Sequence, residues 1–399
     1  MLVQFTLKNF LSFKDSFTLD MTSINAYKEH SYNLIDIGRK EKFLKVAAIY
    51  GANASGKSNL FFAFAYFQDI IRESFNNADE NDRTAIEKYY YPFEFDSESN
   101  NTEFEIVEIF NNSEYKYGYE YNDREIVSEW LYKKDFETNR TSIIFEREYN
   151  SIKFGSSVKK ECFLYKDQIP KETLILSFFN KLNIKTKVFS EVYGKIMGTL
   201  VIPSELCENQ NIVENILPNI IDDQKDKLLE FLNAIDTGIK DIGYEYLANS
   251  KDKVFYTTHI GRDGNLYKLN LFNESEGTLK SINVFIYVQN AIEYGASLFV
   301  DELNVKLHPL VMKFIIDLFY EENSEAQMIY TTHDTTLLDK KFFRRDQIWF
   351  VQKDEFGHSE LIALSDFKVR SDASFEKDYL AGVYGGIPFI KEFNMKDGE

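Results

Sequence analysis

The segment from Gly51 to Ser58 constrains this chain more than any other feature, because its eight residues, GANASGKS, hold glycine, lysine and a hydroxyl at fixed spacing. The mostly apolar residues 43–50 precede it and predict a strand, and residues 59–75 follow with helical periodicity. A strand, a glycine loop and a helix in this order form the P-loop that binds nucleotide phosphates. The sequence therefore predicts an α/β fold built around a phosphate site.

Each position of this loop has a predicted role in binding ATP and Mg²⁺. Gly51 and Gly56 let the backbone bend so that its N–H groups surround the β-phosphate, and the helix dipole adds to the attraction. Lys57 is expected to contact the β- and γ-phosphates, and the Ser58 hydroxyl is expected to ligate Mg²⁺. The other ATP-binding residues predicted in this segment are Asn53, Ser55 and Asn59.

Two adjacent carboxylates follow a second apolar strand, SLFV, near residue 300. Asp301 and Glu302 stand at the carboxyl end of this strand, the edge at which α/β sheets bind their ligands. Asp301 is predicted to hold magnesium, and Glu302 to orient or deprotonate the attacking water. Such a pair alone is typical of a solvated strand end, but a P-loop in the same chain favours the catalytic interpretation.

Two histidines follow apolar segments in the C-terminal part of the chain. His333 comes directly after the predicted strand QMIYTT, where an imidazole is able to donate to the γ-phosphate or to the nucleophilic water. It is predicted to be catalytic. His308 precedes Pro309, and its interpretation stays open between a site residue and the start of a helix.

The segment SEGT, which contains Ser275, Gly277 and Thr278, precedes a helix predicted over residues 277–294. Its hydroxyls, its glycine and the free N–H groups of the helix start suit an anion, and ATP is the predicted ligand of these three residues only through the resemblance of the chain to a known family. A plain helix N-cap is the alternative interpretation.

The rest of the chain is organised around these motifs. The N-terminal residues 2–8 and 15–21 predict a hairpin with Val3, Phe5 and Leu7 on one side. An antiparallel β-rich stretch and a mainly helical stretch follow, and strands alternate with helices after residue 252, which favours a parallel sheet. The predicted division is an N-terminal lobe with the P-loop at 1–90, an inserted β-rich then helical region at 91–250, and a C-terminal lobe at 251–399.

The composition of the chain indicates which classes of partner and which cellular compartment to expect. The formal charge of −18, from 64 acidic and 46 basic residues, opposes indiscriminate binding to phosphate backbones, although a local basic groove stays compatible with it. Cys162 and Cys207 have no metal-like spacing and form no disulfide framework, which favours a reducing compartment. No stretch approaches the ~18 apolar residues of a membrane span. We therefore expect a cytoplasmic protein without a membrane partner.

The order of P-loop, Ser-x-Gly-Thr segment, Asp-Glu pair and histidine resembles an ABC-type ATPase head. Further segments resemble one subgroup, the AAA-labelled, OLD-like ATPases with an ABC/SMC-type head. These segments are LKNFLSFKD near the N-terminus, IDTGI at 235–239, DELNVKLHP, TTHDTTLLD, RRDQIWFVQKD and YLAGVYGGIPFI. Proteins of this subgroup are the ATPase subunits of bacterial anti-phage and abortive-infection systems of the PARIS, Septu and AbiL/RloA type.

The resemblance implies an ABC-type P-loop NTPase head with an antiparallel β subdomain and an inserted helical region. It also implies that ATP bound by Lys57 and Ser58 of one subunit is completed by Ser275 and Gly277 of another, which makes the protein a homo-oligomer, a dimer or higher. The implied partners are a separately encoded effector, a nuclease, and a phage protein or nucleic acid as the trigger. Residues 91–95 occupy the expected place of a Q-loop but contain no glutamine.

Two other functions stay open at this level. One is a DNA-repair ATPase similar to RecF or to SMC-like heads, which acts directly on DNA; the acidic balance and the lack of long heptads weigh against it. The other is an ATP-gated scaffold that hydrolyses slowly and works by assembly. A transporter subunit is disfavoured, because SEGT replaces the LSGGQ signature of that class.

Overall fold

The computed structural model describes residues 1–75, 83–96, 101–203, 210–247, 251–321, 324–370 and 373–388, with the backbone alone for 210–214. The strands in these ranges are β1 (Leu2–Lys8), β2 (Phe17–Asp20), β3 (Leu34–Ile35), β4 (Phe43–Leu44), β5 (Val46–Gly51), β6 (Thr102–Phe110), β7 (Ser113–Tyr121), β8 (Ile126–Asp135), β9 (Arg140–Glu148), β10 (Ser151–Phe154), β11 (Leu200–Ile202), β12 (Asp241–Tyr246), β13 (Lys253–Ile260), β14 (Leu266–Asn270), β15 (Ser297–Val300), β16 (Gln327–Thr332), β17 (Ile348–Lys353) and β18 (Ser359–Ala363). The helices are α1 (Lys57–Glu73), α2 (Ala85–Lys88), α3 (Lys159–Cys162), α4 (Ile175–Leu182), α5 (Val188–Met197), α6 (Gln210–Ala234), α7 (Glu276–Tyr294), α8 (Pro309–Phe319) and α9 (Phe375–Leu380).

A seven-stranded antiparallel sheet, in the order β10-β9-β8-β7-β6-β1-β2, forms one layer of the molecule. The predicted opening hairpin is present, but its side-chain pattern differs from the prediction at one residue. The pairing of β1 with β6 shifts register between Leu2 and Gln4, and this irregularity turns Val3 away from the face that carries Phe5 and Leu7. The prediction that Val3 shares their side was wrong, because one bulge reverses the alternation of a strand.

A six-stranded sheet, in the order β11-β15-β16-β5-β17-β18, forms the second layer. Its neighbours pair in parallel, except for the edge strand β18, which runs antiparallel to β17. Side chains of β5 alternate between two cores: Ala47 and Ile49 face one core, while Val46, Ala48 and Tyr50 face the other. A strand buried on both faces explains why its sequence reads as a continuous apolar run.

Helix α1 lies between the two sheets and fixes the position of the P-loop. Phe64 of α1 stacks on Phe299 of β15 with ring centroids 4.2 Å apart, and it meets Phe5 of β1 edge-on at 4.9 Å. Phe67 stacks on Tyr119 of β7 at 5.6 Å. Buried aromatic contacts of this kind each add about 0.5–1.5 kcal/mol beyond area burial, so both sheets hold the helix that begins at Lys57.

The opposite face of the parallel sheet is covered by α6, α7, α8 and α9, which share a second core with it. The three-stranded antiparallel sheet β12-β13-β14 precedes α7 along the chain. Together these observations confirm the predicted α/β class with an antiparallel subdomain. Among the residues that the structure describes, no helix has both the length and the apolar composition needed to cross a membrane.

The strand predicted over 43–50 is divided at Lys45, because β4 pairs with β3 while β5 pairs with β16. The predicted insert at 91–250 supplies strands to both sheets, since β6 pairs with β1 and β11 pairs with β15. Cys162 is a buried free thiol, and Cys207 lies outside the described residues.

Candidate functional site

The carboxyl ends of three neighbouring parallel strands meet at one edge of the sheet. Tyr50 near the end of β5 lies opposite Thr332 at the end of β16, and Val300 at the end of β15 lies opposite Tyr330. The P-loop, the Asp-Glu pair and His333 therefore emerge side by side, although about 280 residues separate the first from the last. This edge is where ligands bind in open α/β sheets.

The loop that follows β5 requires its two glycines for different reasons. Gly56, the N-cap of α1, has a φ of 109°, a region that L side chains rarely adopt. A Cβ at Gly51 would lie 2.6 Å from the carbonyl oxygen of Val351 in β17, so a side chain there would push the loop off the sheet. Ala54 also has a positive φ, of 62°. The chain thus folds into a tight loop around the N-terminus of α1.

The Lys57 ammonium lies against this loop and donates to the carbonyls of Gly51 at 2.9 Å and Ala52 at 3.0 Å. Burial lowers the pKa of Lys57, and the carboxylates of Glu302 and Asp301 oppose that shift. The P-loop follows β5 and the Asp-Glu pair follows β15, and both strands pair with β16, so the lysine and the two carboxylates lie at the same edge of the sheet. A buried cation beside two carboxylates is a suitable site for a metal-bound polyphosphate.

The other predicted residues of the loop differ in exposure. Asn53 is exposed, Ser58 and Asn59 are partly exposed, and Ser55 is buried. Within the described part of the chain, the Ser55 hydroxyl oxygen makes no hydrogen bond. Helix geometry leaves the first N–H groups of α1, including those of Lys57 and Ser58, without partners inside the helix. Donors and a free hydroxyl therefore converge on the loop.

Two serines that the sequence analysis did not single out hold the loop from behind. The Ser359 hydroxyl, at the start of β18, donates to the Ser55 carbonyl at 2.7 Å and is hydrogen-bonded to the Ser12 hydroxyl, also at 2.7 Å. Ser12 in turn accepts from the side-chain amide of Asn59 at 2.7 Å. A Cβ on Gly56 would clash with both hydroxyls. No sequence signal marks these serines, because they come from turns at opposite ends of the chain.

Asp301 and Glu302 are fixed by a third residue, Thr331 of β16. The Thr331 hydroxyl donates to Asp301 Oδ1 at 2.6 Å and accepts from the backbone N–H of Glu302 at 2.8 Å. Asp301 is buried, whereas Glu302 is partly exposed and has a φ of 49°. One hydroxyl thus orients the predicted metal ligand and the predicted base together. The sequence analysis did not single out Thr331, because it lies within an apolar strand.

The two histidines have different surroundings. His333 is exposed at the end of β16, and the side-chain amide of Asn304 lies 3.1 Å from its Nε2. Asn304 is itself held by the Thr332 hydroxyl at 2.9 Å. His308 is the N-cap of α8, and its Nδ1 accepts from the Leu310 N–H at 3.2 Å. The helix-start interpretation therefore accounts for His308, while His333 lies at the sheet edge.

The segment SEGT begins α7. The Ser275 hydroxyl caps the helix by accepting from the Thr278 N–H at 3.1 Å, and Ser275 is exposed. Gly277 lies against the loop after β15, where a Cβ would stand 2.8 Å from the carbonyl oxygen of Lys306. Within the described residues, no hydrogen bond joins this segment to residues 51–58 of the same chain.

Residues 91–95, in the expected place of a Q-loop, lie beside the turn that carries Ser12. The Leu11 N–H donates to the Tyr91 carbonyl at 2.7 Å, and the Phe93 N–H donates to Asn9 Oδ1 at 3.0 Å. This stretch is therefore hydrogen-bonded to the turn that supports the P-loop. Phe95 is 74% exposed.

These residues fit ATP with Mg²⁺ on their own chemistry. The glycine cradle leaves no room for side chains, the buried lysine is cationic, and a hydroxyl at Ser58 and a carboxylate at Asp301 are hard oxygen ligands of the kind Mg²⁺ prefers. The adjacent Glu302 supplies a carboxylate that the metal does not require. The arrangement suits phosphoryl transfer from a nucleoside triphosphate to water.

No curated protein matches the chain. Two solved structures are similar to the chain. One is an SmcHead bound to the C-winged helix domain of ScpA, at 13% identity and a TM-score of 0.44, over 95% of this chain and 99% of that one. The other is an Smc head domain with an extended coiled coil bound to the C-terminal domain of ScpA, derived from Pyrococcus furiosus, at 14% identity and a TM-score of 0.43 over 95% and 98%.

One family model covers the P-loop, the SEGT segment, the Asp-Glu pair and His333 together. It matches residues 46–339 of the 399, well over half of the chain, and is described as an AAA domain, putative AbiEii toxin, Type IV TA system. The chain belongs to this family of AAA-type P-loop proteins.

Proposed function

We propose that this chain is a Mg²⁺-dependent ATPase whose ATP sites are shared between subunits, and that it is the ATPase subunit of an anti-phage defence complex. The observation that carries the ATPase proposal is the convergence of Lys57, Asp301 and Glu302 at one sheet edge. The strands that lead into these residues, β5 and β15, both pair with β16, and Thr331 of β16 holds both carboxylate residues. Membership of the AAA family supports the same chemistry.

Each residue has a defined task in this proposal. Ser58 and Asp301 would hold Mg²⁺, which neutralises phosphate charge when it is bound. Lys57 supplies positive charge next to the β- and γ-phosphates. Glu302 accepts a proton from the attacking water. His333, oriented by the amide of Asn304, donates to the γ-phosphate oxygens.

The shared site is supported by the surroundings of the SEGT segment. Ser275 is exposed, and the hydrogen bonds of the segment stay within its own helix in the described part of the chain. Among the described residues, Gly277 and Glu276 lie against Lys306 of the loop after β15. An exposed helix start that stands apart from the P-loop of its own chain is available to the ATP of a second copy. A homo-oligomer, a dimer or higher, completes the site.

A single experiment tests the ATPase and the shared site together. The mass of the wild type and of Glu302→Gln is measured with and without ATP and Mg²⁺, alongside phosphate release. We expect an ATP-stabilised oligomer in Glu302→Gln and turnover in the wild type alone. A matched control is Glu146→Gln, which alters a carboxylate on β9, remote from the site, and should retain turnover. A monomer that hydrolyses ATP under every condition would refute the shared site.

The defence role is the finer part of the proposal. The motifs of the OLD-like subgroup and the description of the matched family, a putative toxin of a toxin–antitoxin system, support it. We expect purification from the native operon to recover a separately encoded effector, a nuclease, and Glu302→Gln to abolish protection of cells challenged with phage. Full protection by an oligomer purified without any effector would contradict this role. Tight, salt-sensitive, ATP-dependent binding of duplex DNA would favour the DNA-repair alternative instead.

A further inference from the structure

Lysine 280 connects the helix that begins with SEGT to the predicted catalytic base. Its side chain is buried, with 2% exposure, and its ammonium donates to the backbone carbonyl of Glu302 at 2.9 Å. Burying an ammonium costs free energy unless the group is hydrogen-bonded, and this bond offsets part of that cost. The bond joins α7 to the loop that follows β15.

The same face of α7 makes a second contact with this loop. Glu276 and Gly277 stand four and three residues before Lys280 and therefore lie on the side of the helix that carries Lys280. Gly277 packs against the Lys306 carbonyl, which a Cβ would approach to 2.8 Å, and Glu276 lies 3.4 Å from the Lys306 ammonium. The first turns of α7 thus rest on both ends of the segment from Glu302 to Lys306.

The segment that receives these contacts is strained at both ends. Glu302 has a φ of 49° and Lys306 a φ of 63°, values that a residue with a side chain adopts at a cost of about 1–2 kcal/mol. The backbone of Glu302 is held by three hydrogen bonds: its N–H donates to Thr331, and its carbonyl accepts from the Lys280 ammonium and from the Val305 N–H, the latter at 3.1 Å. The bond from Lys280 is the charged one of the three and comes from α7, so the position of Glu302 depends in part on where α7 places Lys280.

We propose that Lys280 is a positioning residue for ATP hydrolysis, which holds Glu302 in its working position and ties that position to the SEGT end of α7. This inference rests on the proposed function, because in a shared site the SEGT segment binds the ATP of the second copy. Binding of that ATP at one end of α7 is then transmitted through Lys280 to the base that serves the other ATP. The two sites of a dimer become coupled.

The test separates nucleotide binding from turnover. In Lys280→Met we expect the kcat for phosphate release to fall about tenfold to a hundredfold, the cost of a base displaced by about 1 Å, while the Kd for a non-hydrolysable ATP analogue stays within about twofold. Lys280→Arg keeps a charged donor on a long stem and should retain most of the kcat. The dependence of rate on ATP concentration should lose its sigmoidal shape in Lys280→Met.

The chain offers a matched control in Lys45, another buried lysine, whose ammonium donates to the Glu321 carbonyl at 2.7 Å away from the P-loop end of β5. Lys45→Met removes the same kind of bond and should leave the kcat unchanged. Where Lys280→Met fails to fold, Lys280→Gln replaces it, since its shorter amide does not reach the carbonyl, and the same fall in kcat is expected.

The outcomes distinguish the two proposals. A kcat within twofold of wild type in folded Lys280→Met, or an equal fall in Lys45→Met, overturns the positioning role and leaves the ATPase proposal intact. A parallel loss of nucleotide affinity assigns Lys280 to folding or binding and also overturns the inference. A wild type that releases no phosphate overturns the proposed function and the inference with it.

Discussion

Replacing Thr331 by valine is the sharpest test of the site geometry, because the two side chains have nearly the same shape and differ in one hydroxyl. That hydroxyl makes two hydrogen bonds at the sheet edge, as donor to the Asp301 carboxylate at 2.6 Å and as acceptor from the Glu302 N–H at 2.8 Å. Valine supplies neither partner. The variant therefore leaves a buried carboxylate and a backbone donor without their partner and opens no cavity.

The expected effects of Thr331→Val on the free energy of unfolding and on the kcat follow from these two bonds. A hydrogen bond to a charged group contributes about 1.5–3 kcal/mol, and an unsatisfied backbone group costs about 1–3 kcal/mol. Because Glu302 is partly exposed, water offsets part of the second loss. We expect the free energy of unfolding of Thr331→Val to fall by roughly 2–4 kcal/mol. The released Glu302 backbone should also lower the kcat by tenfold or more, by about 1.4 kcal/mol per factor of ten.

The assay combines urea unfolding with phosphate release on the same preparations. Thr331→Ser keeps the hydroxyl and should lie close to wild type in both measurements. Thr173→Val removes another buried hydroxyl, one that donates to the Ser74 carbonyl at 2.9 Å far from the site, and should lower stability without a specific loss of kcat. Unfolding within about 0.5 kcal/mol of wild type, together with unchanged turnover in Thr331→Val, would refute the role given to this hydroxyl.

The remaining predictions concern three other positions. Gly277→Ala should cost about 1–3 kcal/mol of stability in thermal melts and should lower phosphate release, because its Cβ would lie 2.8 Å from the Lys306 carbonyl oxygen. In the control Gly194→Ala, in α5, the new Cβ has nothing within 4 Å, so this change should be neutral or stabilising. Burial raises the pKa of Glu129 to about 7, above the ~4.3 of an unfolded glutamate, so the folded state binds the proton more tightly. The free energy of unfolding of the wild type, relative to that of Glu129→Gln, should therefore fall by roughly 3 kcal/mol as the pH rises from about 5 to 8. A difference between the two proteins that does not change with pH in urea titrations would contradict this. Lys57→Ala should abolish binding of a fluorescent ATP analogue, and unaltered phosphate release by that variant would exclude the P-loop assignment.

Local sequence signals located the elements that carry the site. The strand–loop–helix around the P-loop follows from short-range geometry, and the strand QMIYTT has the observed bounds of β16, residues 327–332. Strand β11 was missed, because three residues in a mainly helical stretch give no periodic signal, and its partner β15 lies nearly 100 residues away. The reversed side chain of Val3 was unpredictable for a similar reason, since a bulge is set by the partner strand.

The candidate site divides along the same line. Lys57, Asp301 and Glu302 were predicted because motif spacing and strand ends place them, and their catalytic roles stay predictions. Their supports were not predicted, because a hydroxyl such as that of Thr331 or an ammonium such as that of Lys280 gains its meaning only from the tertiary contact it makes. Sequence patterns specify which groups reach the sheet edge, while packing decides how those groups are held.

The conformation of Glu302 depends both on the sequence motif that places this residue and on the tertiary contacts that hold it. A left-handed backbone at a glutamate costs about 1–2 kcal/mol, and it persists only where its surroundings enforce it. The bond from its N–H to Thr331 and the bond from the Val305 N–H to its carbonyl each contribute about 0.5–1.5 kcal/mol, and the charge-assisted bond from Lys280 contributes about 1.5–3 kcal/mol. Together these bonds offset the strain, and the bond from Lys280 is the strongest of them. Because the strongest bond comes from α7, the helix that begins with the exposed Ser275, the position of the base depends in part on the part of the chain that a second copy is able to reach.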